Sequence, residues 1–145
     1  MSDDAFIAEL NAHAPPAFVK LGGEVQGFDQ ARGKIEVSYS LDESFCHSGD
    51  IVQGGYVAGM LDAAMAHVTF MHLRSYVVVA TLELKVNYLD IVRPGRLTAH
   101  ARVVKLGKSV GFFDAELFSS DGSLLATATS TAKVFRKDPR QSRQD

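Results

Sequence analysis

The sequence has few of the residues that mark export, disulfide bonding or membrane insertion. Cys46 is the only cysteine, which excludes an internal disulfide and a cysteine-based zinc site and is typical of a reducing compartment. The N-terminus, residues 1–4, is acidic instead of basic, and no apolar run approaches the roughly 18 residues needed to span a bilayer. We therefore expect a cytoplasmic protein that contacts no membrane.

An excess of one charge is also missing, because 15 Lys and Arg residues face 17 Asp and Glu residues, a formal net charge of -2. This balance argues against a nucleic-acid-coating protein and favours a small-molecule partner. The histidines lack metal-ligand spacing; His67 and His72, for example, fall on different faces of a helix. We expect neither a metal nor another cofactor.

The remaining composition is that of one globular domain. The chain has 145 residues, of which 46% are hydrophobic, and this is sufficient for a core of its own. We predict a single domain over residues 1–135, followed by a flexible tail over residues 136–145.

Apolar periodicity predicts an α+β fold. Residues 3–13 have the spacing of a short helix, and residues 54–70 predict a central helix that is apolar on nearly every face. Residues 23–41 predict a β-hairpin, and a polar loop follows over residues 42–52. Further strands, which the turn residues between them suggest form an antiparallel meander, are predicted at 76–90, 96–105, 110–118 and 124–135. A curved antiparallel sheet of five to six strands wrapped around the central helix would bury that helix.

The predicted central helix carries two features that could perform chemistry. Gly54 and Gly55 open it, so free backbone N–H groups at the positive end of the helix dipole could stabilise an oxyanion. The same glycines could instead serve only a tight turn. Asp62 is costly to bury unless it is paired, hydrogen-bonded or used, and a structural carboxylate bonded to the sheet is the alternative.

Gly54 and Asp62 are separated by eight residues, or about 12 Å along a helix axis. That distance is too long for one small reacting centre within one chain. If the two residues cooperate, a two-fold dimer with adjacent antiparallel helices would bring Gly54 of one subunit near Asp62 of the other.

The segment from His47 to Gly55, which continues to Leu61-Asp62, resembles the signature of hot-dog-fold thioesterases of the phenylacetic-acid-degradation (PaaI-like) branch. In that branch a His-Gly-Gly turn precedes an acidic residue on the central helix. Residues 81–89 and 105–109 resemble its strand segments, and the likeness covers about residues 20–135. The resemblance implies hydrolysis of an acyl-CoA thioester by a homo-oligomer, either a dimer or a tetramer built from two dimers.

Carried onto this sequence, the resemblance implies that Gly54 supplies the oxyanion N–H and that Asp62 is either a general base or a nucleophile. It also implies that Thr81 places the attacking water. Gln53 stands where many members have histidine, and it can donate a hydrogen bond but cannot titrate near neutrality. His47 stands where many have asparagine, and it would either orient the substrate carbonyl or only bond the loop.

CoA requires cations for its phosphates and a groove for its pantetheine arm. The residues predicted to bind substrate are Gly55, Arg93, Lys108, Ser109 and Arg136. Lys108 and Ser109 are the best of these candidates because a turn after Gly107 would expose backbone N–H groups beside a cation. Taken singly, each of these charges is more typical of a solvated surface group.

These residues favour a thioesterase acting on a medium-chain or aromatic acyl-CoA, since Phe, Met and Leu near the helix could line an apolar tunnel. The alternative is a non-catalytic acyl-CoA or acyl-carrier binding module of the same fold. A dehydratase or hydratase is less favoured, because it needs a histidine and an acidic residue near the central helix, and His47 with Asp50 lies before that helix. Incubation with a panel of acyl-CoAs separates the three through thiol release, binding alone, or hydration chemistry.

Overall fold

A computed structural model describes residues 1–136 of the chain. The predicted tail therefore lies outside the described residues, apart from Arg136, and the single domain over residues 1–135 stays a prediction. Within the described part, none of the helices has the combined length and apolar character that a bilayer-spanning segment requires.

Two short helices begin the chain. Helix α1 (Asp3–Ala12) is capped by Ser2, whose hydroxyl accepts the N–H of Ala5, and it buries one apolar side against the core. Helix α2 (Pro16–Lys20) has proline at its first position, where a missing N–H costs nothing. The predicted helix over residues 3–13 is confirmed to within one residue.

Eight strands follow in chain order within residues 1–136. They are β1 (Glu24–Asp29), β2 (Lys34–Leu41), β3 (Cys46–Ser48), β4 (Ile51–Val52), β5 (Val78–Tyr88), β6 (Gly95–Leu106), β7 (Val110–Phe118) and β8 (Leu124–Phe135). Six of them form one antiparallel sheet in the order β1-β2-β6-β7-β8-β5, while β3 and β4 form a small hairpin of their own. The predicted hairpin of residues 23–41 is confirmed as the pair β1 and β2.

The prediction of a meander is correct for β6, β7 and β8 but wrong for β5. Strand β5 pairs with β8 and occupies an edge of the sheet, three places from β6 and not beside it. The chain returns from β5 to β6 through residues 89–94, where the N–H groups of Leu89 and Asp90 bond the Leu125 carbonyl. Turn residues mark where a strand ends but do not specify its partner, so the sequence pattern could not exclude this crossover.

Helix α3 (Gly54–Leu73) lies against the inner face of the sheet and ends at Arg74, whose left-handed conformation stops it three residues beyond the prediction. Its buried side includes Met60, Leu61 and Val68, each at 0% exposure. Each such side chain contributes about 1.5–3 kcal/mol of hydrophobic free energy. The opposite side is only half-buried or exposed, contrary to the expected burial on every face, because the sheet of one chain covers α3 from one side.

Candidate active site

The first turn of α3 presents unpaired backbone donors. Gln53 is the N-cap residue and makes no side-chain capping bond, while its carbonyl accepts the N–H of Tyr56 at 3.0 Å. Within residues 1–136, the N–H groups of Gly54 and Gly55 have no hydrogen-bond acceptor, as is usual at a helix start. A Cβ added at Gly55 would meet nothing within 4 Å. The first turn is therefore open on the side of Gly55 to a carbonyl group from outside.

Asp62 is joined to strand β5 by one hydrogen bond. The Thr81 hydroxyl donates to Asp62 Oδ1 at 2.6 Å, and Asp62 has no other polar partner in the described part of the chain. The carboxylate is half-buried, so its second oxygen is within reach of solvent. The Thr81 hydroxyl donates its only proton to Asp62. Its oxygen keeps free lone pairs and can accept a hydrogen bond from a water molecule.

A β-bulge turns Thr81 toward the helix. Thr81 pairs with Ala132 and Glu83 pairs with Thr131, so Leu82 is the extra residue. Directly paired residues share a face of the sheet. Without the bulge, Thr81 would lie on the same face as Glu83, away from α3. With the bulge, Thr81 lies on the same face as the inward-facing Tyr88.

The negative charge of Asp62 also affects Tyr39 in the core. Tyr39 is 1% exposed and its hydroxyl donates to the Met60 carbonyl at 2.6 Å. Burial and, second, the negative charge of Asp62 raise the pKa of Tyr39 well above its ordinary value. Tyr39 is therefore a neutral, fixed donor beneath the helix turn that carries Asp62.

The polar loop before α3 contains the small hairpin of β3 and β4. His47 is exposed there, with its Nδ1 2.8 Å from the Ser48 hydroxyl. Arg93 forms an ion pair with Asp50, and the Val52 N–H bonds the Val92 carbonyl at 2.9 Å. These contacts fix the loop directly ahead of the helix start. The guanidinium of Arg93 is therefore paired with a carboxylate of its own chain.

The predicted substrate-binding residues form two groups instead of one. Lys108 and Ser109 lie in the turn between β6 and β7, where the Val134 N–H bonds the Ser109 carbonyl at 2.8 Å and Arg136 bonds the Gly107 carbonyl at 3.3 Å. Arg93 lies just before the opposite end of the 12-residue strand β6, on the order of 40 Å away along an extended strand. Arg93 and Lys108 therefore cannot hold one phosphate group within a single chain.

Tyr88 was missed as a functional candidate. Its hydroxyl donates to the Gly54 carbonyl at 2.7 Å. The sequence offered one signal, because the helix begins with two glycines after Gln53, and glutamine is a weak N-cap residue. Such a first turn needs a side chain from elsewhere in the chain to stabilise it. Residues 1–136 contain no cluster of three or more His, Cys, Asp or Glu side chains able to hold a metal ion.

Comparisons with known proteins agree with this architecture. The family model of the Thioesterase superfamily matches residues 49–126, which include the helix start, Asp62 and Thr81. A candidate esterase of Saccharolobus solfataricus is 27% identical over 132 residues, covering 90% of this chain and 91% of that protein.

Solved structures have the same fold. A phenylacetic acid degradation-related protein of Ralstonia eutropha JMP134 is 34% identical with a TM-score of 0.78, covering 88% of this chain and 98% of its own. The PaaI protein of E. coli, from the phenylacetic acid degradation operon, is 20% identical with a TM-score of 0.75, covering 91% and 95%. The predicted hot-dog fold, and the resemblance to the phenylacetic-acid-degradation branch, are confirmed.

Proposed function

Because this chain belongs to the thioesterase superfamily, we propose that it hydrolyses the thioester of a medium-chain or aromatic acyl-CoA at a site shared by two subunits. Its class as a thioester hydrolase follows from the family. The observation that carries the proposal is the Thr81–Asp62 hydrogen bond, because it fixes one carboxylate oxygen and leaves the other open to solvent.

The carboxylate of Asp62 assists the attack of water. In the proposed step, a water molecule held by the Thr81 oxygen gives its proton to Asp62 while its oxygen bonds to the thioester carbon. The carbonyl oxygen becomes an oxyanion that accepts the free N–H of Gly54. Collapse of this intermediate breaks the C–S bond, and the CoA thiolate takes the proton from Asp62. The products are a carboxylic acid and free CoA.

The separation of its parts supports the shared site. Gly54 and Asp62 lie about 12 Å apart along α3, and both are half-buried beside the edge strand β5, at the margin of the side that the sheet leaves open. Added Cβ atoms at Gly55 and Gly59 would meet nothing within 4 Å, so another surface can approach this side closely. Strand β5 is an unpaired edge on which Leu82 is 62% exposed. A second copy with an antiparallel α3 would cover these features and form the dimer, and two dimers would form the tetramer.

The turn between β6 and β7 supports the binding of CoA phosphates. Lys108, Lys133 and Arg136 line one open groove together with Ser109. Strand β5 leads from Thr81 to this groove, since Val78 pairs with Phe135 only three residues away, about 10 Å along the strand. Three cations at that distance suit the phosphates of a substrate whose thioester lies beside Asp62.

The test is steady-state release of free CoA from phenylacetyl-, benzoyl- and hexanoyl-CoA by the parent and by Asp62→Asn. The substitution keeps the shape of the side chain and its hydrogen bond but removes the base, so we expect turnover to fall about 1,000-fold or more. Circular dichroism and sedimentation should show an unchanged fold and assembly. Unchanged turnover in Asp62→Asn would contradict the proposal, and saturable binding without release in the parent would identify a binding module instead.

A further inference from the structure

Tyr88, the last residue of β5, holds the first turn of α3 from the sheet. Its hydroxyl donates to the Gly54 carbonyl at 2.7 Å. Its ring lies against the same glycine, since a Cβ added at Gly54 would lie 3.2 Å from the Tyr88 hydroxyl oxygen and 3.3 Å from two ring carbons. The small size of Gly54 therefore serves this contact.

The first turn of α3 has little else to hold it. It begins with two glycines, which are poor helix formers because they lose the most backbone freedom on ordering. The N-cap residue Gln53 makes no side-chain bond, and no acidic residue lies in the first turn. In the described part of the chain, Tyr88 is the one side chain that hydrogen-bonds to the backbone of residues 53–55.

The bond acts on the direction of the N–H donors. The Gly54 carbonyl and the Gly55 N–H belong to one planar peptide unit and point in opposite directions. Anchoring the carbonyl fixes that plane, so the Gly55 N–H points back along the helix axis, beside the free N–H of Gly54. A hydrogen bond accepted by the carbonyl also polarises the amide and strengthens its N–H as a donor.

We propose that Tyr88 is a positioning residue of the thioesterase site, which orients and polarises the Gly55 N–H toward the thioester oxygen, beside the free N–H of Gly54. This inference rests on the proposed function. It gives β5 a part on both sides of the shared site, because Thr81 of the same strand holds the Asp62 of its own subunit. Oxyanion stabilisation depends on donors that need no reorganisation during the reaction, and a glycine pair alone cannot provide this rigidity.

A purely structural role is the competing explanation, and the exposure of Tyr88 argues against it. Tyr88 is 54% exposed in the chain alone, so its hydrogen bond competes with water and adds little to the stability of the fold. The substitution Tyr88→Phe keeps the ring beside Gly54 and removes only the hydroxyl.

We expect Tyr88→Phe to lower kcat for CoA release about ten-fold with little change in KM or in the unfolding midpoint. Tyr76→Phe is the matched control, because Tyr76 is 49% exposed near the other end of β5 and its hydroxyl has no bond within the described residues. This control should keep the parent kcat. A rise in KM alone, or an equal loss of stability and activity, would overturn the positioning role.

Amide NMR provides a readout that is independent of turnover. In ¹⁵N-labelled protein, Tyr88→Phe should shift the Gly55 amide proton upfield and speed hydrogen exchange at Gly54 and Gly55, whereas Tyr76→Phe should leave them unchanged. If Asp62→Asn abolishes turnover while Tyr88→Phe matches the parent in kcat and in these resonances, the role of Tyr88 is wrong and the proposed function stands. If the parent releases no CoA from any substrate, both fail.

Discussion

At the scale of single residues, the proposed site consists of a carboxylate and the backbone donors of a helix start, and strand β5 supports each of them within its own subunit. Thr81 bonds Asp62, while Tyr88 bonds the Gly54 carbonyl and so orients the Gly55 N–H of the same peptide unit. Neither contact contributes much to the stability of the single chain, because Thr81 and Tyr88 are exposed in it. Their value is in geometry, which activity measurements detect better than unfolding measurements do.

Removal of the N–H of Gly54 tests the backbone donor directly. Proline is tolerated at the first helical position, and the conformation of Gln53 (φ -60, ψ 136) is one that a following proline allows. We expect Gly54→Pro to lower kcat about 100- to 1,000-fold.

The matched control for this substitution is Gly54→Ala, which brings the same Cβ against Tyr88 but keeps the N–H. CoA-release kinetics on both variants should show a much smaller loss for alanine. Equal losses would mean that the contact with Tyr88, and not the missing N–H, causes the defect.

At the scale of elements, α3 is held to α2 by a buried imidazole. His67 is 2% exposed and stacks on Phe18 at 4.0 Å between ring centres. Its Nδ1–H donates to the Ala63 carbonyl at 2.8 Å, while Nε2 has no partner within residues 1–136. Burial lowers the pKa of His67 below its ordinary value because a charged ring would be poorly solvated there.

This lowered pKa predicts acid sensitivity. The unfolded chain binds a proton at His67 near pH 6.5 and the folded chain does so only at lower pH, so stability is lost as pH falls from about 6.5 toward the folded pKa. The loss is about 1.4 kcal/mol for each unit by which the pKa is lowered. Urea unfolding measured at several pH values from 7.5 to 5 should show that the free energy of unfolding depends less steeply on pH in His67→Phe than in the parent. The exposed control His72→Gln should keep the pH dependence of the parent. An unchanged pH dependence in His67→Phe would refute His67 as the source of the acid sensitivity.

Much of the element pattern could be predicted from the sequence, because apolar periodicity reports which residues are buried. The first hairpin and the central helix follow from it. The pairing of β5 with β8 does not, since turn residues leave the partner open. The inward direction of Thr81 could not be predicted from alternation either. The sequence alternation assigns Leu82, Leu84 and Val86 to the inward face and Thr81 to the outward face. The bulge at Leu82 shifts the strand by one residue, so that Thr81 points inward.

The candidate site was predictable where a local pattern carried it and not where distant residues meet. The helix start and Asp62 lie within one stretch of α3, so spacing alone related them. The bond from Tyr88 to Gly54 joins residues 34 positions apart, and the ion pair that occupies Arg93 joins residues 43 apart. Such contacts depend on the tertiary fold, which is why Arg93 was grouped with Lys108 despite lying at the other end of β6.

At the scale of the whole molecule, the central claim is that each active site takes Gly54 from one subunit and Asp62 from the other. This claim explains why α3 leaves one side open and why an unpaired β5 edge exposes Leu82. It also implies that two chains with different inactivating substitutions can repair each other.

The most direct measurement is therefore CoA release by co-expressed Asp62→Asn and Gly54→Pro subunits, compared with each variant alone. In a mixed dimer, one site carries both defects and the other carries neither. Random pairing makes half of the dimers mixed, so activity should recover to about one quarter of the parent value. If mixed assemblies form and activity stays at the level of the single variants, Gly54 and Asp62 act within one chain and the shared site is wrong.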